Sequence, residues 1–569
     1  MKKINRLTLV LTLMAAGLFA GCASDEEATR ENQKIALDGS HFKFTEVAYQ
    51  ADQAVTRAAA SVKPTTVDLG DGLEAEVSVT PDAPTGKTRA VDPISDGKYT
   101  ILAFDPTTHD LQGKLEGSVT GGVFTPDAGQ KLLLDPGTYD FTCFSEPVVY
   151  DEPNNRLVVN HFLTKNPMIG HVQATIADDD YEVAFNMEHK AIRVRFNITS
   201  DILSENTPID AYLKGGVPGP WYWMHDWYTA YSGVLNNAGN GDYTADVPLN
   251  FKTVAPVTTQ AGTTYTSDYV YMLPGIDGHD HISNYPIHFN AGTIGGASLV
   301  GKTVGVGTGF QWAINQSITI NVNVKGQLYL FEDGKARVLA GKGTHTPIGL
   351  VIQQKWEPTN QKGMACALEI IKKSVPPAYA WEDETKTLPS NPDHLNTTVY
   401  NGVHDGQNDM NGYNWTWDAN STKDHVVRGN EQEKYPAFYQ AGHYTPSNAT
   451  ITGANIGKWY MPAAGEVMKL FRLFGTATVP ANEPWRGYCN MAQTDIDKML
   501  AAFTKVNSGL LLQYQFLWTS TVCDAANTGG FGPYSPVSFC INGNGPGQIW
   551  WPTFQKTGAN FYILPFVKF

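Results

Sequence analysis

The chain has 569 residues, a formal net charge of −15, 42% hydrophobic and 11% aromatic residues, 54 glycines and 33 prolines. After a leader, this length accommodates about three domains with sizeable cores, and the glycine, proline and aromatic content points to many strands and turns. The acidic balance, with no basic stripe, argues against nucleic acid as a partner, because Lys and Arg must neutralise phosphates there. Beyond the leader no apolar run reaches the ~20 residues of a membrane-spanning helix.

Residues 1–21 read as a signal peptide. Lys2, Lys3 and Arg6 make a positive start, and residues 7–20 form an apolar stretch too short to span a membrane. The stretch ends in Leu18-Phe19-Ala20-Gly21-Cys22, which resembles a bacterial lipobox. The resemblance implies that the Cys22 thiol is acylated, becomes the mature N-terminus and holds the protein to the outer membrane, each buried CH₂ contributing about 0.8 kcal/mol. Phe19 stands where an aliphatic residue is expected, and an ordinary signal peptide with an incidental cysteine is the other reading. The acidic run Asp25-Glu26-Glu27 resembles the surface-export signal of Bacteroides-type lipoproteins.

Residues 22–97 form an N-terminal pro-segment with two alternating, strand-like runs, His41-Phe42-Lys43-Phe44-Thr45-Glu46-Val47 and Leu73-Glu74-Ala75-Glu76-Val77-Ser78-Val79. Arg57 and Arg89 sit in polar stretches of the kind proteases cut. Residues 98–200 read as a first β-sandwich. A strand over 98–105 is stopped by Pro106, Asp135-Pro136-Gly137 makes a turn, and 138–144 is the strand that follows. The run 185–198 reads as a single strand whose second half alternates strictly. Residues 201–326 read as a second β-sandwich, with its cleanest alternation over 317–326. No amphipathic helix stands out in either. Residues 327–346 read as a linker or a short hairpin.

Residues 347–569 change character to α+β. A strand is predicted over 348–352 and helices over 463–474 and 494–503, the latter with Thr494 as N-cap and early acids suiting the helix dipole. Strands over 516–522, 537–541, 548–554 and 561–569 close the chain. Five cysteines follow Cys22, none in a CxxC or zinc-type spacing. Cys523 and Cys540 flank a glycine-rich segment and are the candidates for a disulfide; buried free thiols are the other reading.

Three segments resemble the fimbrillin family of Bacteroides-type pili: Tyr99-Thr100-Ile101-Leu102-Ala103-Phe104-Asp105, Leu134-Asp135-Pro136-Gly137-Thr138-Tyr139 and Glu188-His189-Lys190-Ala191-Ile192-Arg193-Val194. The resemblance implies two transthyretin-like β-sandwiches. It also implies an arginine-specific cleavage that removes an N-terminal strand, after which the groove takes a strand from the next subunit. Arg57 and Arg89 are the candidate cleavage sites. Further on, Trp459-Tyr460-Met461-Pro462-Ala463-Ala464-Gly465-Glu466-Val467, Leu517-Trp518-Thr519-Ser520-Thr521 and Leu564-Pro565-Phe566-Val567-Lys568-Phe569 resemble the motifs of lectin-like major-paralogue domains. That resemblance implies a C-type-lectin-like fold. Met461, Thr519 and Phe566 depart from the usual residues.

The sequence has no nucleophile elbow, HExxH or P-loop, and no counterpart of the cysteine pair that formylglycine-generating enzymes use on the related fold. The chain therefore reads as a non-enzyme that needs no cofactor or metal. Gly278-His279-Asp280-His281 and the oxygen-rich run from His404 to Gly412 read as polar loops before they read as metal sites. Trp221, Trp223 and Trp227, Trp415 and Trp417, and Trp550 and Trp551 are the candidate ligand contacts, since exposed aromatic faces stack on sugars or anchor proteins; filling of domain cores is the competing reading. The combined expectation is a surface pilus subunit, accessory or at the tip. It accepts a strand from other fimbrillin subunits and presents a lectin-like head to a host glycan or protein. The alternative is a non-pilus, glycan-binding surface lipoprotein.

Overall fold

The computed structural model describes residues 34–49, 64–82, 94–160, 162–178, 180–215, 223–240, 246–273, 285–306, 313–372, 379–383, 394–481, 486–507, 512–524, 534–542, 546–557 and 559–569. Cys22, Arg57, Arg89, Trp221 and the 278–281 run lie outside the described residues. Those described are mainly strand, with α-helix confined to Val403 onward.

The first unit is built on a seven-stranded sheet. Its spatial order is Phe42–Glu46, Val183–His189, Met168–Ile176, Gly137–Ser145, Gly97–Phe104, Leu111–Thr120, Val123–Pro126. Alternation sends successive side chains to opposite faces, and here both faces are buried. Tyr99, Ile101 and Ala103 join one core, which the paired strands Ile35–Leu37 and Leu132–Leu134 cover. Leu102 and Phe104 join another, beneath a four-stranded sheet of Val148–Asp151, Arg156–Asn160, Trp223–Thr229 and Leu235–Asn240. The near-continuous apolar run of residues 101–104 is the signature of a strand covered on both sides.

The second unit packs an eight-stranded sheet, centred on Ile192–Ser200, Ser317–Gly326 and Leu73–Pro81, against a five-stranded sheet containing Thr207–Leu213 and Ile287–Ile294. The 185–198 run is therefore two strands in two sheets, not one. Buried positions are odd through Val183, Phe185, Met187 and His189, then even through Ile192, Val194, Phe196 and Ile198. A one-residue slip of phase reverses every side chain, so the chain leaves one sheet at Lys190 and enters the other at Ile192. The boundary between the sandwiches accordingly falls near 190 rather than 200. The N-terminal region is likewise divided: residues 35–46 complete the first unit, and 65–81 complete the second.

In the third unit a six-stranded and a four-stranded sheet hold the helices Ala464–Phe474 and Gln493–Thr504. Of the two readings of residues 327–346, the hairpin holds: Leu328–Phe331 pairs with Ala336–Val338 and enters the six-stranded sheet. Gln493–Thr504 starts after Ala492, so Thr494 lies inside the first turn and does not cap it. The predicted strand 561–569 reduces to Phe566–Lys568 plus isolated bridges at Phe561, Tyr562 and Ile563. Cys523 pairs in register with Ser535 and Cys540 with Phe516. The two thiols thus sit at opposite ends of a hairpin, five residues or ~17 Å apart at about 3.4 Å per residue. Cys143, Cys366, Cys489, Cys523 and Cys540 are all buried free thiols.

The second and third units share one continuous core that includes Val322 and Leu350. Polar contacts tie them as well: Leu203 N donates to Gln354 Oε1 at 2.9 Å, Gln354 Nε2 to Asp201 O at 2.6 Å, and Val338 N to Gly295 O at 3.0 Å.

Candidate functional site

Two separate N-terminal pieces lie at sheet edges. Phe42–Glu46 runs parallel to Val183–His189 over five register pairs, from Phe42 beside Val183 to Glu46 beside Met187. Its alternate residues enter the core: Phe42 is 3% exposed, and Phe44 stacks on Phe185 at 5.6 Å between ring centroids. Thr45 Oγ1 donates to Asn186 Oδ1 at 2.6 Å. Glu46 holds the chain just before the strand Gly97–Phe104, accepting from Ser95 N at 3.0 Å and Ser95 Oγ at 2.8 Å.

The second piece is the hairpin Thr65–Gly70 with Leu73–Pro81. Gly70, Asp71 and Gly72 all take positive φ, which two glycines make inexpensive. Leu73–Pro81 pairs antiparallel with Ser317–Gly326 over nine register pairs and buries Leu73, Ala75 and Val77. Asp82 then fastens its end, accepting from Ser317 Oγ at 2.5 Å, Tyr269 OH at 2.7 Å and Thr319 Oγ1, with Arg195 Nη2 at 3.5 Å. Burial alone would raise the Asp82 carboxyl; the Ser317, Thr319 and Tyr269 hydroxyls and the Arg195 charge outweigh it and leave it below the usual range.

The tryptophans divide. Trp415 is 3% exposed and donates Nε1 to Asp409 Oδ2 at 2.9 Å. Trp551 is fully buried against Phe471 and Phe539. These two are core residues, held where no ligand reaches. Trp417 is half-buried, donating Nε1 to Trp459 O at 2.7 Å, with Lys458 Nζ 4.3 Å from its ring centroid. Trp550 is half-buried, 5.3 Å from the Phe516 ring centroid. Trp227 faces outward with His225, while Asp226 and Tyr228 point inward, and the Arg156 guanidinium lies 4.0 Å over its ring centroid. Trp223 is on the same strand; its side chain lies outside what is described. Trp227 is thus separated from Trp417 and Trp550 by unit, and no common aromatic platform forms among the described residues.

The segment from Trp459 to Val467 seats a helix. Glu466, fully buried, accepts from Ala463 N at 2.9 Å and from Tyr460 OH at 3.2 Å. It supplies the N-terminal partner that an Ala N-cap cannot. Burial pushes its carboxyl up to about 8. Asp409, from the oxygen-rich run, is used internally by Trp415 and by Thr521 Oγ1 at 2.7 Å.

Sequence reasoning missed a buried charge network in this unit. Arg428 is fully buried, its guanidinium about equidistant from Trp381, Tyr435 and Phe438 at 5.0, 5.0 and 5.2 Å. Its Nη1 donates to Asn396 Oδ1 at 2.6 Å. Glu382 lies 3.6 Å from Lys556 Nζ and 2.7 Å from His394 Nδ1. Burial lowers Lys556 to about 8 against the pull of Glu382. Paired buried charges of this kind position a fold; no sequence periodicity marks them, because the partners are distant in the chain.

No family model matches the chain, and no curated protein matches it. Among solved structures, one chain from Bacteroides fragilis, with a provisional cell-adhesion assignment, is 13% identical. The match covers 51% of this chain and 93% of that one, with a TM-score of 0.32. A fimbrial protein from Bacteroides ovatus is 10% identical over 95% of this chain and 100% of that one, with a TM-score of 0.26. At these identities and scores the likeness is too remote to fix a family.

Proposed function

We propose that this chain is an exported surface adhesion subunit that accepts a strand from a second subunit in place of its own N-terminal one. The observation that carries the reading is the edge strand Phe42–Glu46: short, parallel, seated by alternate phenylalanines, and joined to the rest of the chain through the stretch containing Arg57. Cleavage there separates this strand from the fold and opens the Val183–His189 edge, whose unpaired backbone groups favour a replacement strand. Arg57 is the better candidate on energetic grounds. Cleavage at Arg89 would also separate the nine-pair hairpin and its Asp82 fastening.

The third unit is the adhesive head of this reading, lectin-like as its motifs imply. Its last strand, Phe566–Lys568, is paired on both sides, with Met364–Ala367 and Trp459–Tyr460. A strand so placed is not free to be donated, which suits a subunit at a tip. The lipid on Cys22 then serves export and is discarded with the leader segment.

N-terminal sequencing of the protein purified from the cell surface tests this. A start at Ala58 supports strand exchange, whereas a permanent start at acylated Cys22 overturns it. Immunogold label along the pilus shaft would overturn the tip position, and glycan binding without any pilus would favour the non-pilus alternative.

A further inference from the structure

The residues after Phe42–Glu46 are gripped by both sandwiches in turn. Val47 N donates to Met187 O at 2.9 Å, and Ala48 O accepts from Asn315 Nδ2 at 3.0 Å. Tyr49, 3% exposed, follows. Its ring stacks on the His189 imidazole, 3.7 Å between centroids and 13° from parallel, and the Arg193 guanidinium lies 4.0 Å from the same ring centroid. Both cannot occupy one face, so the ring is sandwiched between them. Its OH donates to Asn166 Oδ1 at 3.1 Å.

These partners belong to different sandwiches. Asn166 and His189 are in the first; Asn166 also contacts His189 Nδ1 at 2.8 Å. Arg193 is in the second, donating Nε to Ser317 Oγ at 2.6 Å and lying 4.9 Å from the Tyr269 ring centroid. His189 and Arg193 flank the crossing by which the chain passes from one sheet to the other. A single side chain from the replaceable segment therefore fills the junction. The groups facing His189 are Tyr49 on its ring, Asn166 on Nδ1, Glu46 Oε1 3.5 Å from Nε2, and the Arg193 charge beyond the tyrosine.

We infer that Tyr49 locks the two sandwiches together, and that a strand replacing Phe42–Tyr49 must present an aromatic residue seven positions after the one that takes the place of Phe42. The locking half rests on the geometry alone; the recognition half rests on the strand-exchange reading. Once Tyr49 departs, the slot is lined by an amide, an imidazole and a guanidinium. An aliphatic side chain offers none of these a partner. An aromatic ring restores both the stack and the cation–π contact, and a tyrosine hydroxyl also satisfies Asn166. The occupant is thus a β-strand with apolar residues two apart followed, five residues on, by Tyr, Phe or Trp.

The full chain carrying Tyr49→Phe or Tyr49→Ala tests the lock, read by NMR titration of the His189 imidazole. Burial, reinforced by Arg193, holds His189 down at about 3. It stays silent above about pH 5 in the parent and in Tyr49→Phe, and in Tyr49→Ala it titrates within about one unit of the ordinary 6.5. An unchanged His189 in Tyr49→Ala overturns the lock. For recognition, the chain cleaved by an arginine-specific protease is offered a synthetic peptide of residues 38–49 and its Tyr49→Ala form, with binding read by fluorescence anisotropy. The native peptide binds at least about tenfold tighter, about 1.4 kcal/mol. Equal binding overturns the aromatic requirement and leaves strand exchange standing; binding of neither overturns strand exchange itself, while the His189 titration still decides the lock.

Discussion

Trp551 and Trp227 sit in different surroundings although a sequence treats them alike: the first is fully buried, the second half-buried. Trp551 is enclosed by Phe471 and Phe539, whereas Trp227 lies on the outward face of its strand under Arg156. Trp551→Ala is expected to cost about 3–5 kcal/mol and Trp227→Ala at most about 1 kcal/mol, measured by denaturant unfolding. A larger loss at Trp227 would refute the placement. Glu466 makes a pH statement. Its folded carboxyl titrates near 8, above the ordinary 4.5. Between those values the unfolded chain has released the proton and the folded chain has not, so stability falls as pH rises through that window and levels off above it. Glu466→Gln removes that slope while keeping an acceptor for Ala463 N, and melting temperatures across the window check it. The roles of Glu466 and Asp409 were only half legible. Their motifs mark a helix start and an oxygen-rich loop, but the partners Tyr460, Trp415 and Thr521 come from packing.

At the scale of elements, alternation and helical spacing marked both long helices closely, and also the strands Phe42–Glu46, Leu73–Pro81, Gly97–Phe104, Gly137–Ser145 and Ser317–Gly326; the short strands between Thr207 and Val304 passed unmarked. The errors have physical causes. The 185–198 run was broken by a phase slip that a count of apolar residues overlooks. Thr494 looked like a cap, but the helix begins a turn-fraction earlier with no capping side chain. Gly465 shows tertiary contact overruling propensity. Gly to Ala in a helix ordinarily gains about 1 kcal/mol. Here a Cβ would stand 2.4 Å from Asp409 O, a backbone atom. Gly465→Ala is therefore expected to destabilise the third unit by about 1–3 kcal/mol, and a raised melting temperature would contradict the packing described. The hairpin of residues 65–81 offers a second test. Leu73→Ala should cost about 2–5 kcal/mol and speed amide exchange in Ser317–Gly326, leaving the first sheet unchanged.

Across the whole molecule, the described core residues fall into four clusters. Two belong mainly to the first sandwich, one of them including Ile101; one is confined to the third unit, around Trp415; and Val322 of the second sandwich and Leu350 of the third unit share the fourth. Calorimetry should then resolve two transitions, with Val322→Ala and Leu350→Ala lowering the same one and Ile101→Ala the other; three independent transitions would refute a shared core. This joins the third unit to the second by packing, through the hairpin that was one of the two sequence readings of residues 327–346. What the sequence determined by itself is local: the face each residue of a strand presents, the Pro-Gly turn, and the helix around Ala464–Phe474. What only the tertiary structure decided is partnership. Residues 35–46 belong to one sandwich and 65–81 to the next, Tyr49 bridges them, and two of the candidate tryptophans are core. The reason is physical. Side-chain alternation specifies a buried face, but the backbone hydrogen bonds that choose a neighbouring strand are the same for every residue, so the neighbour is selected by packing alone.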